Sequence, residues 1–147
     1  MKRSSRSLLG AATALAIVVG GVLAAAPANA AAPSSCTSGR ACLWDNANYK
    51  TANSTGNLLW FVQYVDDARR YTYSNTKISA HDSANSAFNN GRTDAAYFWE
   101  HEQYRGLWFK LARGQGDSDF GNGVPGRADG YFNNRVDSAA FESIHRP

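Results

Sequence analysis

From residue 36 onward, short apolar segments alternate with turn-forming residues, and this pattern is typical of a β-rich domain. Each segment is bounded by Gly, Asn, Asp or Ser. No window in this part of the chain has a helical period over three turns. The pattern predicts an all-β domain with strands at residues 41–44, 58–64, 84–88, 95–99, 107–112 and 138–144.

The order of aromatic and polar residues repeats along the chain. Trp44 and Tyr49 enclose four mostly polar residues, and Trp99 and Tyr104 do the same 55 positions later. Two Asn/Asp-rich segments, residues 81–86 and 133–138, follow the aromatic pairs at a spacing of 52. This repetition predicts two copies of one β motif.

The join between the two copies is short. Asn89-Asn90-Gly91 predicts a tight turn, because Asn-Gly favours positive φ. A tight join favours halves that pack together as one Greek-key sandwich. We therefore expect a flexible leader at 31–35 and a single domain at 36–147, with motif one at about 36–90 and motif two at about 91–147.

The amino terminus has the pattern of an export signal. Lys2, Arg3 and Arg6 precede an apolar stretch at residues 8–26, which ends at the small-x-small sequence Ala28-Asn29-Ala30. A membrane anchor is the alternative, but the stretch is rich in Ala and Gly. We predict a signal peptide at 1–30, a secreted, extracellular protein, and no membrane contact once the signal is removed.

Signal removal changes the charge balance. The chain has 15 Lys and Arg against 12 Asp and Glu, and three of the basic residues lie in the signal. The remainder has 12 of each, so its net charge is about zero. A basic surface for nucleic acid is therefore not predicted.

The two cysteines lie close together after the signal. Cys36 and Cys42 are separated by five residues, and in an exported protein such a pair predicts a disulfide. Two cysteines alone do not complete a structural zinc site.

The repeated motif resembles the Greek-key signature of the βγ-crystallin superfamily. Trp99, Tyr104 and Gly106 match its aromatic-x4-aromatic-x-Gly pattern, whereas Thr51 replaces the glycine after Trp44 and Tyr49. The resemblance implies a structural role for these residues, with the first aromatic packed over a folded hairpin. It also implies a glycine conformation that Thr disfavours.

A further resemblance covers most of the chain after the signal. Cys36-x5-Cys42, the following Leu43-Trp44-Asp45-Asn46-Ala47-Asn48-Tyr49 and the join Asn89-Asn90-Gly91-Arg92-Thr93 resemble the actinobacterial secreted peptidase (metalloproteinase) inhibitor family. The resemblance implies a βγ-crystallin-like domain that inhibits an extracellular peptidase. We expect a monomer that binds the peptidase through an exposed loop.

The Asn/Asp-rich segments leave two interpretations open. Asp82, Asn85, Asn134 and Asp137 offer oxygen atoms of the kind that calcium prefers, at positions resembling the calcium motif of some βγ-crystallins. The other interpretation is that these side chains cap turns. A calcium-binding or structural module without inhibitory activity is therefore the alternative function, and no other cofactor is expected.

Catalytic motifs are incomplete, so no enzyme is predicted. His101-Glu102 begins like a zinc-peptidase helix, but Arg105 stands where the second histidine is needed. The glycines at 121–126 match G-x-G-x-x-G, yet Pro125 disrupts a helix start. The long connections at 65–80 and 113–130, including the charged segment 66–70, are equal candidates for the inhibitory loop.

Overall fold

The computed structural model describes residues 31–51 and 57–147. The predicted signal peptide, residues 1–30, lies outside the described residues, as does Gly56, one of the turn-forming glycines. Within the described ranges, no helix is both long and apolar enough to cross a membrane.

Within residues 31–51 and 57–147, the regular structure consists of eight strands and four short 3₁₀ turns. The strands are β1 (Arg40–Trp44), β2 (Leu58–Phe61), β3 (Tyr64–Val65), β4 (Ser86–Asn90), β5 (Ala96–His101), β6 (Arg105–Leu111), β7 (Gly116–Asp117) and β8 (Ser138–Phe141). The 3₁₀ turns are Ala47–Tyr49, Ala68–Arg70, Glu102–Tyr104 and Phe120–Asn122.

The strands form two antiparallel four-stranded sheets that exchange one strand each. The first sheet has the order β2-β1-β4-β7, and the second has the order β3-β8-β5-β6. Strand β3 belongs to the first half by sequence but pairs with β8, with Val65 opposite Ala139. Strand β7 makes the reciprocal exchange and pairs with β4, with Ala87 opposite Asp117. Each half is therefore a Greek key that is completed by the other half, and the all-β Greek-key prediction is confirmed.

Two predictions about local structure need correction, and one strand was not predicted. The strand predicted at 58–64 is divided between β2 and β3, which lie in different sheets. The two-residue strand β7 was not predicted. Asn89 and Asn90, predicted as turn residues, are the last two residues of β4, and the connection to β5 begins at Gly91.

The core lies between the sheets and is built from alternate residues of the strands. In the first sheet, Leu43 on β1 is opposite Leu59 on β2. In the second sheet, Phe98 on β5 is opposite Phe109 on β6, with their ring centroids 5.0 Å apart. All four side chains belong to one buried cluster. Because side chains alternate between the faces of a strand, the intervening residues point to the outer faces.

The outer face of the first sheet carries the disulfide. Cys36 and Cys42 are bonded, as predicted, with their Cα atoms 6.0 Å apart. They pack with Trp44, Leu58 and Phe88 in a separate buried cluster. The bond thus holds the segment before β1 against the sheet, where it covers apolar side chains.

Candidate functional site

The repeated aromatic pairs have the same geometry in both halves. The rings of Trp44 and Tyr49 meet edge to face with centroids 5.1 Å apart, and those of Trp99 and Tyr104 do so at 5.2 Å. Each tyrosine has positive φ, 55° and 61°, at the end of a 3₁₀ turn. Trp44 and Trp99 are buried. In both halves, the aromatic pair thus packs at the end of strand and turn in the same way.

The serine that ends each Asn/Asp-rich segment closes the folded hairpin of its own half. Ser86 Oγ donates to the carbonyl of Asn46 at 2.7 Å and accepts from the amide of Tyr49 at 3.3 Å. Ser138 Oγ donates to the carbonyl of His101 at 2.6 Å and accepts from the amide of Tyr104 at 3.0 Å. Both serines are buried, and their bonds satisfy backbone groups that the turn leaves unpaired.

Gly106 takes a backbone conformation that suits glycine. Its φ is +80°, and an added Cβ would lie 2.9 Å from His101 Cδ2. The second copy of the motif thus requires the glycine that the sequence pattern singles out. Thr51, at the equivalent position of the first copy, is the last residue described before the gap at 52–56.

The four residues predicted to bind calcium do not all lie at one place. Asp82 and Asp137 come together with His81, and one ligand atom of each lies within 4.8 Å of the others. Asn134 lines the same depression. Asn85 Nδ2 instead donates to the carbonyl of Asp45 at 2.6 Å. The calcium site stays a prediction.

The turn-forming interpretation has support at these same positions. Asp82 and Asn134 have φ of 46° and 56°, a region in which Asn and Asp are enriched. Asp137 Oδ1 accepts from the amide of Asp82 at 3.1 Å. This carboxylate therefore ties the turn of the first half to the strand β8 of the second half.

Asp137 also contacts His81, and this pairing was not expected. Asp137 is only 4% exposed, and its Oδ1 lies 2.7 Å from His81 Nδ1. The Nε2 atom of His81 lies 3.5 Å from Asp82 Oδ2. Partial desolvation, and secondly the nearby Asp137 carboxylate, raise the pKa of Asp82. His81 is not among the residues that the calcium pattern selects, because its ring offers nitrogen where calcium needs oxygen.

The depression beside this cluster is rich in ionisable groups. His101 Nε2 lies 3.5 Å from Glu100 Oε1. Glu100 Oε1 also accepts from the hydroxyl of Tyr131 at 2.6 Å. The depression is lined by His81, Asp82, Glu100, His101, Glu102, Asn134, Arg135 and Asp137. The fold thus gathers side chains from both halves at one open surface.

The charged segment 66–70 is ordered by its own side chains. Asp67 Oδ1 accepts from the backbone amide of Arg69 at 3.0 Å and from Arg69 Nε at 2.8 Å. The hydrogen bond from Arg69 holds the pKa of Asp67 below its usual value. Arg70 pairs with Asp66 at 2.9 Å. Because these charges are paired with one another, the segment offers little unpaired charge to a partner.

The two long connections share local structure that the sequence pattern does not predict. Asp67 caps the turn Ala68–Arg70, and Asp119, 52 residues later, caps Phe120–Asn122. Isolated β-bridges then follow, Thr72 to Ser79 in the first half and Val124 to Arg127 in the second. Six residues lie inside the first bridge and two inside the second. The halves therefore differ mainly in this hairpin, which is four residues longer in the first half.

The longer hairpin, residues 72–79, is fixed to the body of the domain. The amide and the hydroxyl of Ser74 both donate to the carbonyl of Leu58, at 2.9 and 2.8 Å. Within the hairpin, the amide of Tyr73 donates to the carbonyl of Ile78 at 3.0 Å. Tyr73 is buried, whereas Lys77, Ile78 and Ser79 are exposed. We call residues 72–79 the first-half hairpin.

The incomplete catalytic motifs do not lie in the structures that their chemistry requires. His101 ends strand β5, and Glu102–Tyr104 is a 3₁₀ turn and not the helix of a zinc peptidase. Gly121 and Gly123 follow Asp119 in a short turn, with no strand–helix unit around them. Neither segment provides a catalytic arrangement.

Two of the solved structures similar to this one are βγ-crystallin domains. One, solved in work on the evolution of the eye lens βγ-crystallin domain fold, has a TM-score of 0.55 and 15% identity, over 76% of this chain and 92% of that chain. A βγ-crystallin from Ciona intestinalis has a TM-score of 0.50 and 16% identity, over 70% of this chain and 99% of that chain. At such identities the likeness establishes the fold. No curated protein sequence matches the chain.

The fold and its paired motifs define a βγ-crystallin-like domain. The sequence profile of peptidase inhibitor family I36 matches residues 29–111, which is more than half of the chain. The chain belongs to peptidase inhibitor family I36. It is therefore assigned to a class of inhibitors and not of enzymes.

Proposed function

We propose that this protein is a secreted inhibitor of an extracellular peptidase and that it binds its target through the first-half hairpin. Membership of peptidase inhibitor family I36 supports the inhibitory role. The predicted signal peptide at 1–30 supports secretion. The single observation that carries the choice of loop is the exposed run Lys77-Ile78-Ser79 on an otherwise anchored hairpin.

The hairpin has the mechanical properties that an inhibitory loop needs. A peptidase cleft accepts an extended exposed segment, and a loop already held in shape loses less entropy on binding. Thr76 Oγ1 donates to the carbonyl of Tyr73 at 2.9 Å and accepts from the amide of Ile78 at 3.1 Å. Ala80, which follows the hairpin, is buried and donates to the carbonyl of Tyr71 at 3.0 Å. The exposed residues are thus held on both sides.

The difference in hairpin length between the two halves also favours the first-half hairpin as the inhibitory loop. The second-half hairpin has only Pro125 and Gly126 between its bridging residues. Two residues form a tight turn and project little chain into a cleft. The first-half hairpin offers a lysine and an isoleucine, both exposed, as side chains for a specificity pocket.

Titration of the purified protein against thermolysin-like and subtilisin-like peptidases tests the function. We expect stoichiometric inhibition of at least one class. Absence of inhibition of both classes at micromolar excess would overturn the proposed function and favour the structural or calcium-binding alternative.

Substitutions in the hairpin test the choice of loop separately. Ile78→Ala and Lys77→Ala should each weaken inhibition at least about tenfold, because truncation of an interface hot spot costs about 2 kcal/mol or more. Leu107→Ala is a matched control, since Ile78 and Leu107 are each 46% exposed and apolar. We expect the control to inhibit like the unchanged protein. If inhibition persists unchanged in both hairpin variants, another segment makes the contact.

A further inference from the structure

A histidine and two carboxylates from opposite halves of the chain meet at one edge of the open depression. His81 and Asp82 lie in the turn that follows the first-half hairpin, and Asp137 lies directly before β8. One ligand atom from each residue lies within 4.8 Å of the others. The cluster exists because the two Greek keys pack together.

Asp137 fixes the orientation of the His81 ring. Its buried carboxylate oxygen lies 2.7 Å from His81 Nδ1 and must accept a hydrogen bond, so we assign the ring proton to Nδ1. In the neutral ring the lone pair is then on Nε2. A carboxylate that holds a histidine in this way is the usual partner of a metal-binding imidazole.

A second potential ligand lies at a suitable distance from Nε2. His81 Nε2 lies 3.5 Å from Asp82 Oδ2. Two ligands that bind zinc at 2.0–2.1 Å in tetrahedral geometry lie about 3.4 Å apart. The separation of these two atoms therefore matches the one that a bridging metal ion requires.

The pair His81 and Asp82 lies at the open depression. His81 and Asp82 have side chains that are 40% and 52% exposed, so an ion can enter from solvent. His101 and Glu100 line the same depression and have their own facing pair of atoms, Nε2 and Oε1, at 3.5 Å. The guanidinium of Arg135 is engaged over the ring of Tyr131, 4.7 Å from its centroid. The depression thus offers further nitrogen and oxygen donors beside the first pair.

We propose that His81 Nε2 and the Asp82 carboxylate bind a divalent transition-metal ion of the zinc type, with Asp137 as a positioning residue. Imidazole nitrogen suits Zn²⁺, Cu²⁺ and Ni²⁺, whereas Ca²⁺ takes six to eight oxygen ligands. Of the residues predicted for calcium, Asn85 does not line the depression, and Asp137 is engaged by His81 and by the Asp82 amide. The proposal is independent of whether the protein inhibits a peptidase.

Calorimetric titration of the purified, chelator-treated protein with ZnCl₂ and, separately, with CaCl₂ tests the preference. We expect Zn²⁺ to bind at one site per chain and more tightly than Ca²⁺. Tighter binding of Ca²⁺, or no binding of Zn²⁺, would overturn the proposal.

Variants locate the site. His81→Asn introduces the residue that the second half carries at the equivalent position, Asn133, and should weaken Zn²⁺ binding at least tenfold, as should Asp82→Asn. Asp137→Asn should weaken it by about 10- to 100-fold through loss of the ring's orientation. His145→Gln is the control, because His145 stacks on Tyr104 with centroids 4.2 Å apart and does not line the depression. Unchanged Zn²⁺ affinity in His81→Asn would refute the assignment.

An NMR measurement on the unchanged protein tests the ligand set without relying on the folding of any variant. In the unchanged protein, Zn²⁺ should shift the ring NMR signals of His81 and leave those of His145 in place. Shifts confined to other histidines would contradict the proposed ligand set.

Discussion

Asn89 gives the sharpest test of how the two halves are joined. This side chain is fully buried at the end of β4. Its Nδ2 donates to the carbonyls of Asp94 and Leu111, at 2.9 and 3.0 Å. Its Oδ1 accepts from the amide of Gly91 at 2.9 Å. The amide group of Asn89 thus connects the first sheet, the connection between β4 and β5, and strand β6 of the second sheet.

The cost of Asn89→Ala follows from these three bonds. Each hydrogen bond contributes about 1 kcal/mol net, and a buried backbone group left without a partner costs about 1–3 kcal/mol. We therefore expect the free energy of unfolding to fall by about 3 kcal/mol or more. Because total stabilities are about 5–15 kcal/mol, this is a large fraction of the whole.

Urea denaturation followed by tryptophan fluorescence measures the change, with an unchanged slope as evidence that the unfolding reaction is the same. Asn90→Ala is the matched control, because the neighbouring Asn90 makes a single side-chain bond, from Nδ2 to the carbonyl of Cys36 at 2.6 Å. The control should lose about 1 kcal/mol. If Asn89→Ala costs no more than Asn90→Ala, the reasoning about the buried amide is wrong.

Three further changes test other parts of the fold. Removal of the disulfide in a Cys36→Ala, Cys42→Ala double variant should lower the free energy of unfolding by about 2 kcal/mol, measured with urea, because the closed loop is short; no loss would contradict a stabilising role. The pKa of Asp67 is lowered by Arg69, so its contribution to stability is present above the unfolded pKa of about 3.9 and is lost as pH falls through the lowered folded value. Asp67→Asn keeps a capping oxygen but should flatten this acid dependence of the urea midpoint, and an unchanged profile would refute the assignment. Gly106→Ala should cost about 1–2 kcal/mol, seen as a lower urea midpoint, since φ is +80° there; a neutral result would contradict the requirement for glycine.

Local sequence patterns predicted the motifs because their contacts are close in sequence. The spacing of Trp99, Tyr104 and Gly106 reports a hairpin that folds back on itself within eight residues, and the structure has that hairpin. The disulfide between Cys36 and Cys42 closes a similarly short loop. Such features depend on backbone conformation and near neighbours, which a short window of sequence contains.

The exchange of strands was not predicted because it depends on distant partners. Strand β7 has only two residues, Gly116 and Asp117, and neither favours a strand by itself. It forms because β4 offers it an unpaired edge. The role of Asn89 is partly of this kind: its bonds to Gly91 and Asp94 are local, but its bond to the carbonyl of Leu111, 22 residues away, comes from the fold.

The candidate metal cluster was not predicted for the same reason, because its residues come from two distant parts of the sequence. His81 and Asp82 are adjacent, but Asp137, which orients the histidine, is 56 residues away from it. Taken alone, the sequence around His81 resembles a degraded calcium motif. The carboxylate from the other half gives this histidine a defined role.

Comparison of the two halves indicates where function can reside. The residues that they share, such as Ser86 and Ser138, bond to backbone in both halves and are committed to folding. We therefore expect side chains that contact a partner to come from positions where the halves differ. Two such differences adjoin each other in the chain: the longer first-half hairpin, and His81 in place of Asn133. Both lie in residues 72–82, so a variant that replaces this stretch with its second-half counterpart should lose inhibition and zinc binding together while it keeps the Greek-key fold, whereas retention of either activity would place that activity elsewhere.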